Sequence, residues 1–142
     1  MKIFLIFYIV TIASCTNDHF AILIAGSKGY ENYRHQADTC HAFHTLKNNG
    51  IPENQIIHLA YDDIATNPKN PFPGKIFNQA SEDFKGWDVY EGCTIDYKGD
   101  SANSTNFVAA LIGNTDVATG RTLKTNNNSK IFVYYAGLGG SE

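Results

Sequence analysis

The sequence predicts an α/β fold with a mostly parallel sheet, and three observations support that prediction. Three apolar runs, at residues 20–25, 56–61 and 131–136, are each followed directly by glycine or aspartate. Two segments with helical spacing of apolar residues, 33–48 and 105–112, separate these runs. Buried parallel strands are typically continuous apolar runs, and alternating strands and helices are typical of parallel sheets.

The predicted elements follow in chain order. A strand over residues 20–25 ends at a glycine loop, and the helix over 33–48 ends near Gly50, with Pro52 beyond it. The second strand covers 56–61, residues 66–74 form a proline-rich loop, and 77–100 is loop with one short strand. Ser101 or Asn103 caps the helix over 105–112, residues 120–129 are exposed, and 131–136 is a third buried strand.

Composition limits the classes of protein and partner. The chain has 142 residues, which is at most one domain, and its 43% hydrophobic and 18% charged content is that of a globular protein. A net charge of −3 gives no reason to expect nucleic acid or an anionic membrane as a partner. The sequence does not indicate an oligomeric state.

The first fifteen residues have the pattern of a secretory signal peptide. Lys2 precedes an apolar stretch over residues 3–13, and small residues follow before Cys15. We predict cleavage near Cys15, a mature segment of residues 16–142 and no membrane attachment after removal, because the apolar stretch is too short to span a bilayer. A buried first strand and a bacterial lipoprotein signal are the alternatives. Glycosylation sequons at Asn103 and Asn127 agree with a secretory route.

Two cysteines remain if Cys15 is removed with the signal. Cys40 and Cys93 are able to pair, but nothing in the sequence requires a disulfide. Cys40 lies on the apolar stripe of the first predicted helix, so the favoured interpretation is a buried free thiol.

Polar residues follow each predicted strand, where parallel sheets commonly place their sites. The motifs there resemble, in order, those of the legumain-type asparaginyl endopeptidases. They lie at residues 25–29, 32–38, 61–65, 70–75, 89–92 and 95–99, and the resemblance covers about residues 20–139. The glycosylphosphatidylinositol transamidase subunit shares the element at residues 32–35, but residues 25–27 and 90–92 fit legumains better.

The resemblance implies a caspase-like three-layer α/β fold, incomplete in this chain. It implies thiol-dependent cleavage after asparagine, and less readily aspartate, in a lysosomal, vacuolar or extracellular setting. No metal and no organic cofactor are implied. The expected partners are peptides or proteins that contain asparagine, and cystatin-like inhibitors.

Five positions carry roles implied by the family. Asn32 matches an asparagine that orients the catalytic histidine, and Arg34 and His35 match residues of the pocket for the substrate asparagine. Gly139 matches the glycine whose N–H stabilises the oxyanion. Leu138 occupies the position of the catalytic histidine.

Leu138 predicts a catalytically inactive chain, because leucine neither accepts nor donates a proton. Neither Cys40 nor Cys93 matches the family nucleophile, and the sequence reaches Glu142 before the strand expected to present it. A diverged gene copy and a sequence error at position 138 both fit a one-base change. A non-catalytic protein that binds peptides or inhibitors, and an unfolded remnant with uncovered sheet faces, are the alternatives.

Two clusters are expected to have structural roles. Asp62 and Asp63 follow the second strand, and the resemblance implies structural hydrogen bonds rather than acid/base chemistry. Four polar residues of the first helix recur every third position, which rotates them about 60° backwards per step, so they do not share one narrow face. We therefore expect a polar helix surface rather than a zinc site for His35, Asp38, His41 and His44.

Overall fold

The computed structural model describes residues 18–79 and 86–139. It contains four strands, namely β1 (His19–Ala25), β2 (Ile56–Ala60), β3 (Tyr97–Lys98) and β4 (Lys130–Ala136). Two α-helices, α1 (Tyr33–Asn48) and α2 (Ser104–Leu111), lie between them. The predicted signal peptide falls outside the described residues.

All four strands belong to one parallel sheet with the order β3-β2-β1-β4. Ala25 of β1 lies opposite Ala136 of β4, and Ile24 lies opposite Leu59 of β2. The carboxyl ends of three strands therefore reach the same edge of the sheet. The predicted parallel α/β architecture is confirmed.

The two helices cover opposite faces of the sheet. Ile22 and Leu59 pack with Ala110 of α2, whereas Leu23 and Ile56 pack with Phe43 of α1. Successive strand residues point to opposite faces, so continuous apolar runs are required where both faces are covered. All five residues of β2 are buried for this reason.

Helix boundaries follow from local sequence. At the end of α1, Gly50 has a φ of 90°, its N–H bonds to the Lys47 carbonyl, and the Ile51 N–H bonds to the Leu46 carbonyl. This is a Schellman motif, for which glycine is favoured because the left-handed conformation is unstrained without a Cβ. At the start of α2, Asn103 Oδ1 accepts a hydrogen bond from the Asn106 N–H at 2.8 Å, which confirms the predicted cap.

The prediction that residues 131–136 form a buried strand is wrong in one respect. The strand is present as β4, but its large side chains are 40% to 58% exposed at Ile131, Phe132, Val133 and Tyr135. Within the described residues, β4 pairs only with β1, so it is an outermost strand of the sheet. Burial of a strand depends on what lies beside and above it, which its own composition does not specify.

The prediction of a free thiol at Cys40 is also wrong. Cys40 forms a disulfide with Cys93, with Cα atoms 5.5 Å apart and a sequence separation of 53 residues. The fold places the segment before β3 against α1, and that proximity is not encoded in the local spacing of either cysteine. The bond joins α1 to this segment at the predicted apolar stripe of the helix, where Cys40 is 1% exposed.

Neither α1 nor α2, nor any other helix in the described part of the chain, combines the length and apolar content needed to cross a membrane.

Candidate functional site

The polar loops gather where the strands end. The Gly26 N–H bonds to the Ala136 carbonyl at 2.8 Å, so the loop that follows β1 begins beside the loop that follows β4. A Cβ at either Gly26 or Gly137 would collide with the Tyr135 ring. Glycine at both positions therefore allows this aromatic ring to pack between the two loops.

The first turn of α1 presents the predicted substrate-pocket residues. Arg34 is exposed, and its guanidinium donates a hydrogen bond to the Glu31 carbonyl at 3.2 Å. His35 is buried, and its Nδ1 lies 2.6 Å from Ser27 Oγ. Burial lowers the pKa of His35, and the positive charge of Arg34 lowers it further. The permanently charged guanidinium of Arg34 thus lies next in sequence to the His35 imidazole, whose neutral form is favoured by burial.

Asn32 and the residues after β4 occupy separate loops at this edge. The Asn32 amide donates to the Lys28 carbonyl at 2.9 Å, which braces the loop after β1. Leu138 follows the end of β4 with 59% of its surface exposed, and Gly139 comes next. The structure thus places the two predicted pocket residues, Arg34 and His35, together at the start of α1, and residues 138 and 139 on another loop at the same end of the sheet. Their catalytic roles stay predictions.

Asp62 and Asp63 have the structural hydrogen bonds that were expected of them. Asp63 accepts from the Gly29 N–H at 2.8 Å and from the Gln36 amide at 2.7 Å. Asp62 has a φ of 62° and accepts from the Tyr90 hydroxyl at 2.9 Å.

Two contacts complete this network. Lys98 forms an ion pair with Asp62 at 2.6 Å. Burial, together with the hydrogen bond to Asp62, raises the pKa of Tyr90 to about 12, so its hydroxyl stays a donor. The two carboxylates therefore hold the loops around the site together.

Sequence reasoning did not find a cleft of about 630 Å³ on the α2 side of this edge. Its walls come from the loops after β1 and β2, the start of α2 and the outer face of β4. The apolar residues on α2 were recognised only as a packing stripe, because a cleft depends on the distance between elements. The residues lining it include Gly26, Ser27, Tyr61, Asn103, Phe107 and Tyr135.

Sequence reasoning also missed a buried group on the α1 side. His58 in β2 is fully buried, and its Nδ1 lies 3.3 Å from the Thr94 carbonyl and 3.6 Å from Cys93 Sγ. Its Nε2 is buried without a hydrogen-bond partner among the described residues. Burial lowers the pKa of His58 to about 4. One ligand atom from each of Cys40, His58 and Cys93 lies within 4.8 Å of the others.

A parallel sheet between helices, with its polar loops at one edge, defines an α/β protein, and this architecture is consistent with the caspase-like class. Residues 19–142 match the Peptidase C13 family. The chain therefore belongs to the Peptidase C13, or legumain, family of cysteine endopeptidases, as the resemblance predicted.

Individual relatives agree with this assignment. The chain is 49% identical over 123 residues to a hemoglobinase of Schistosoma mansoni, covering 87% of this chain and 28% of that protein. It is 46% identical over 124 residues to the vacuolar-processing enzyme beta-isozyme of Arabidopsis thaliana, covering 85% and 25%. It is 42% identical over 125 residues to legumain of Rattus norvegicus, covering 85% and 28%. The chain thus spans about a quarter of the length of these curated relatives.

Proposed function

We propose that this chain is the part of a C13 cysteine endopeptidase domain that receives an asparagine side chain, and that Leu138 leaves it without peptidase activity. Arg34 supports the first part. A guanidinium has five N–H donors, and the described contacts of Arg34 use one of them. The remaining donors are suited to the carbonyl of an asparagine side chain or, less selectively, to an aspartate carboxylate.

The neighbouring imidazole supports the same role. His35 is held by Ser27 at one ring nitrogen, and its lowered pKa favours the neutral form. A neutral imidazole offers a polar contact without a second positive charge. This agrees with a preference for the neutral asparagine amide over aspartate.

Leu138 is the single observation that carries the proposal of inactivity. The family resemblance expects histidine here, two residues after the end of β4. A leucine side chain has no ionisable group, so it neither activates a thiol nor protonates a leaving amine. Loss of one member of such a catalytic unit costs orders of magnitude in rate.

Two features support a secretory, lysosomal or vacuolar, or extracellular location. The Cys40–Cys93 disulfide is of a kind that persists in oxidising compartments. Both sequon asparagines, Asn103 and Asn127, are exposed. The expected partners are peptides with an asparagine.

The test measures binding and turnover separately on the full chain. Isothermal titration with a blocked Ala-Ala-Asn peptide at acidic pH should show binding that weakens about tenfold or more in Arg34→Ala, a loss of roughly 1.4 kcal/mol. Lys69→Ala, at another exposed cation, is the matched control and should bind like wild type. An Ala-Ala-Ala peptide should bind less well, because it offers no side-chain carbonyl.

Turnover of an Ala-Ala-Asn reporter with thiol present should be absent. Turnover that is lost in Arg34→Ala would come from this chain rather than from a contaminant, and would overturn the proposed inactivity. Equal peptide binding by wild type and Arg34→Ala would overturn the proposed pocket.

A non-catalytic binding role is the second candidate, and the combination of Arg34 and His35 with Leu138 favours it. Such a protein retains peptides or cystatin-like inhibitors without cleaving them. Under this alternative, a cystatin-like inhibitor binds the chain and is displaced by the Ala-Ala-Asn peptide. An inhibitor that fails to bind at micromolar concentration argues against this role, while leaving peptide docking to be judged by the titration.

A further inference from the structure

We propose that Cys40, Cys93 and His58 form a zinc-binding site when the disulfide between the two cysteines is reduced. The three residues come from α1, from the segment before β3 and from the middle of β2. They lie on the α1 side of the sheet, and the proposed peptide-docking function does not use them.

The spacing of the potential ligand atoms fits a tetrahedral ion. One ligand atom from each residue lies within 4.8 Å of the other two. With Zn–S near 2.3 Å and Zn–N near 2.0 Å, tetrahedral geometry separates a sulfur from a nitrogen by about 3.5 Å and two sulfurs by about 3.8 Å. Cys93 Sγ and His58 Nδ1 are 3.6 Å apart, so this pair is already spaced for zinc.

The two sulfurs reach their required separation only after the bond between them is broken. The oxidised protein therefore has no site, and the reduced protein has one. This makes the redox state of the cysteines the switch for metal binding.

The donor set selects the class of metal. Two thiolates and an imidazole are the ligands of zinc sites, whereas magnesium and calcium prefer oxygen ligands. The group contains no carboxylate. Cys93 is partly exposed, which offers a path for the ion and a position for a water molecule as fourth ligand.

The position of His58 supports a ligand role. The side chain is fully buried, and its Nδ1 lies 3.6 Å from Cys93 Sγ. Coordination at Nδ1 replaces the 3.3 Å contact of this nitrogen with the Thr94 carbonyl by a metal–nitrogen bond, and the ring proton then lies on Nε2.

The chemistry balances with a dithiol as the reductant. Its two sulfurs become a disulfide, the Cys40–Cys93 bond breaks, and each cysteine sulfur takes one of the two protons released. Binding of Zn²⁺ to the two thiols then releases two protons to solvent. Metal affinity is therefore expected to rise with pH.

Cobalt is the spectroscopic probe for this site. The full chain carrying Cys15→Ser, which leaves Cys40 and Cys93 as the only cysteines, is reduced with a phosphine and titrated anaerobically with Co²⁺. We expect one Co²⁺ per chain, a sulfur-to-cobalt charge-transfer band, the visible bands of tetrahedral cobalt, and displacement by Zn²⁺. The same chain without reduction should show none of these bands.

Two histidine variants separate a three-ligand site from simple thiol binding. His58→Gln should weaken metal binding about tenfold or more, because a ligand is lost. His44→Gln, one helical turn from Cys40 and hydrogen-bonded to the Val89 carbonyl, should bind Co²⁺ like the parent chain. Equal affinity in these two variants would overturn the proposal.

The folding state of the reduced chain is monitored by circular dichroism. If reduction lowers the helical signal, Zn²⁺ should restore it, because metal binding and folding are coupled. Failure of Zn²⁺ to restore the signal, or absence of the charge-transfer band in a folded reduced chain, would also overturn the proposal.

Discussion

The Asp63 carboxylate accepts a hydrogen bond from the Gly29 backbone N–H at 2.8 Å. This contact joins the loop after β1 to the end of β2. The second oxygen of the same carboxylate accepts from the Gln36 amide in α1 at 2.7 Å. One side chain therefore positions the segment that leads to Arg34 and His35.

Replacing Asp63 with asparagine should destabilise the protein. An asparagine has one carbonyl oxygen, and its NH₂ group would face one of the two donors, leaving it unsatisfied. We expect a loss of about 1–3 kcal/mol in the free energy of unfolding, measured by urea denaturation. Asp116→Asn, at an exposed position after α2, makes the same chemical change and should have little effect. Equal losses in both variants would contradict the role assigned to Asp63.

Loss of the disulfide should lower stability by restoring freedom to the unfolded chain. For a bond spanning 53 residues the chain-entropy model gives about 4 kcal/mol, and about 2–4 kcal/mol is expected in practice. Cys93→Ser removes the bond, and a phosphine reductant does so in wild type, with metal chelated in both samples. Reduction should lower the urea denaturation midpoint of wild type. The same treatment should leave the midpoint of Cys93→Ser unchanged. A wild-type urea midpoint that does not change with reductant would contradict the Cys40–Cys93 disulfide.

Stability should depend on pH through His58. Its pKa is about 4 in the folded protein against an ordinary value of 6.5, so the unfolded chain binds more protons between these values. The free energy of unfolding should therefore be highest above about pH 6.5 and fall as the pH drops through this window. The slope should approach about 1.4 kcal/mol per pH unit, for a total of about 3 kcal/mol.

A histidine variant isolates this contribution. The pKa of His35 is also lowered and adds a dependence of the same sign. His58→Leu removes only the His58 part, so its stability should vary less with pH than that of wild type. Urea midpoints measured from pH 4 to pH 7 for both proteins provide the comparison. Parallel curves would show that His58 is not the group responsible.

The cap of α2 gives a more local prediction. Asn103→Ala removes the acceptor for the Asn106 N–H, and should cost about 0.5–2 kcal/mol of stability. Asn103→Asp keeps an acceptor oxygen at the same position, and should retain most of the stability. Thermal unfolding of the two variants tests the cap. Equal losses of stability would argue that the hydrogen bond donated by the Asn103 side-chain amide to the Asp100 carbonyl contributes more than the bond accepted by Asn103 Oδ1.

Local sequence was sufficient for most of the secondary structure. The apolar run of β2 predicted a strand buried on both faces, and all five of its residues are buried. The spacing along α1 and the glycine after it predicted the helix and its end. These features depend on neighbours within a few residues, so they can be predicted from the sequence.

Only part of the candidate site could be predicted from the sequence. Arg34 and His35 are adjacent in sequence, so their joint placement follows from one helical turn. The contacts of Asp63 with Gly29 and Gln36 cross 34 and 27 residues, and only the packing of three elements specifies them.

The sequence by itself determined the strands, the helices, the family and the leucine at position 138. The tertiary structure decided that Cys40 reaches Cys93, that His58 lies beside both, and that β4 is exposed although its composition is that of a buried strand. The physical reason is that the residue pattern favouring a helix or a strand is local, whereas strand pairing, burial and side-chain pairing depend on segments far apart in the chain.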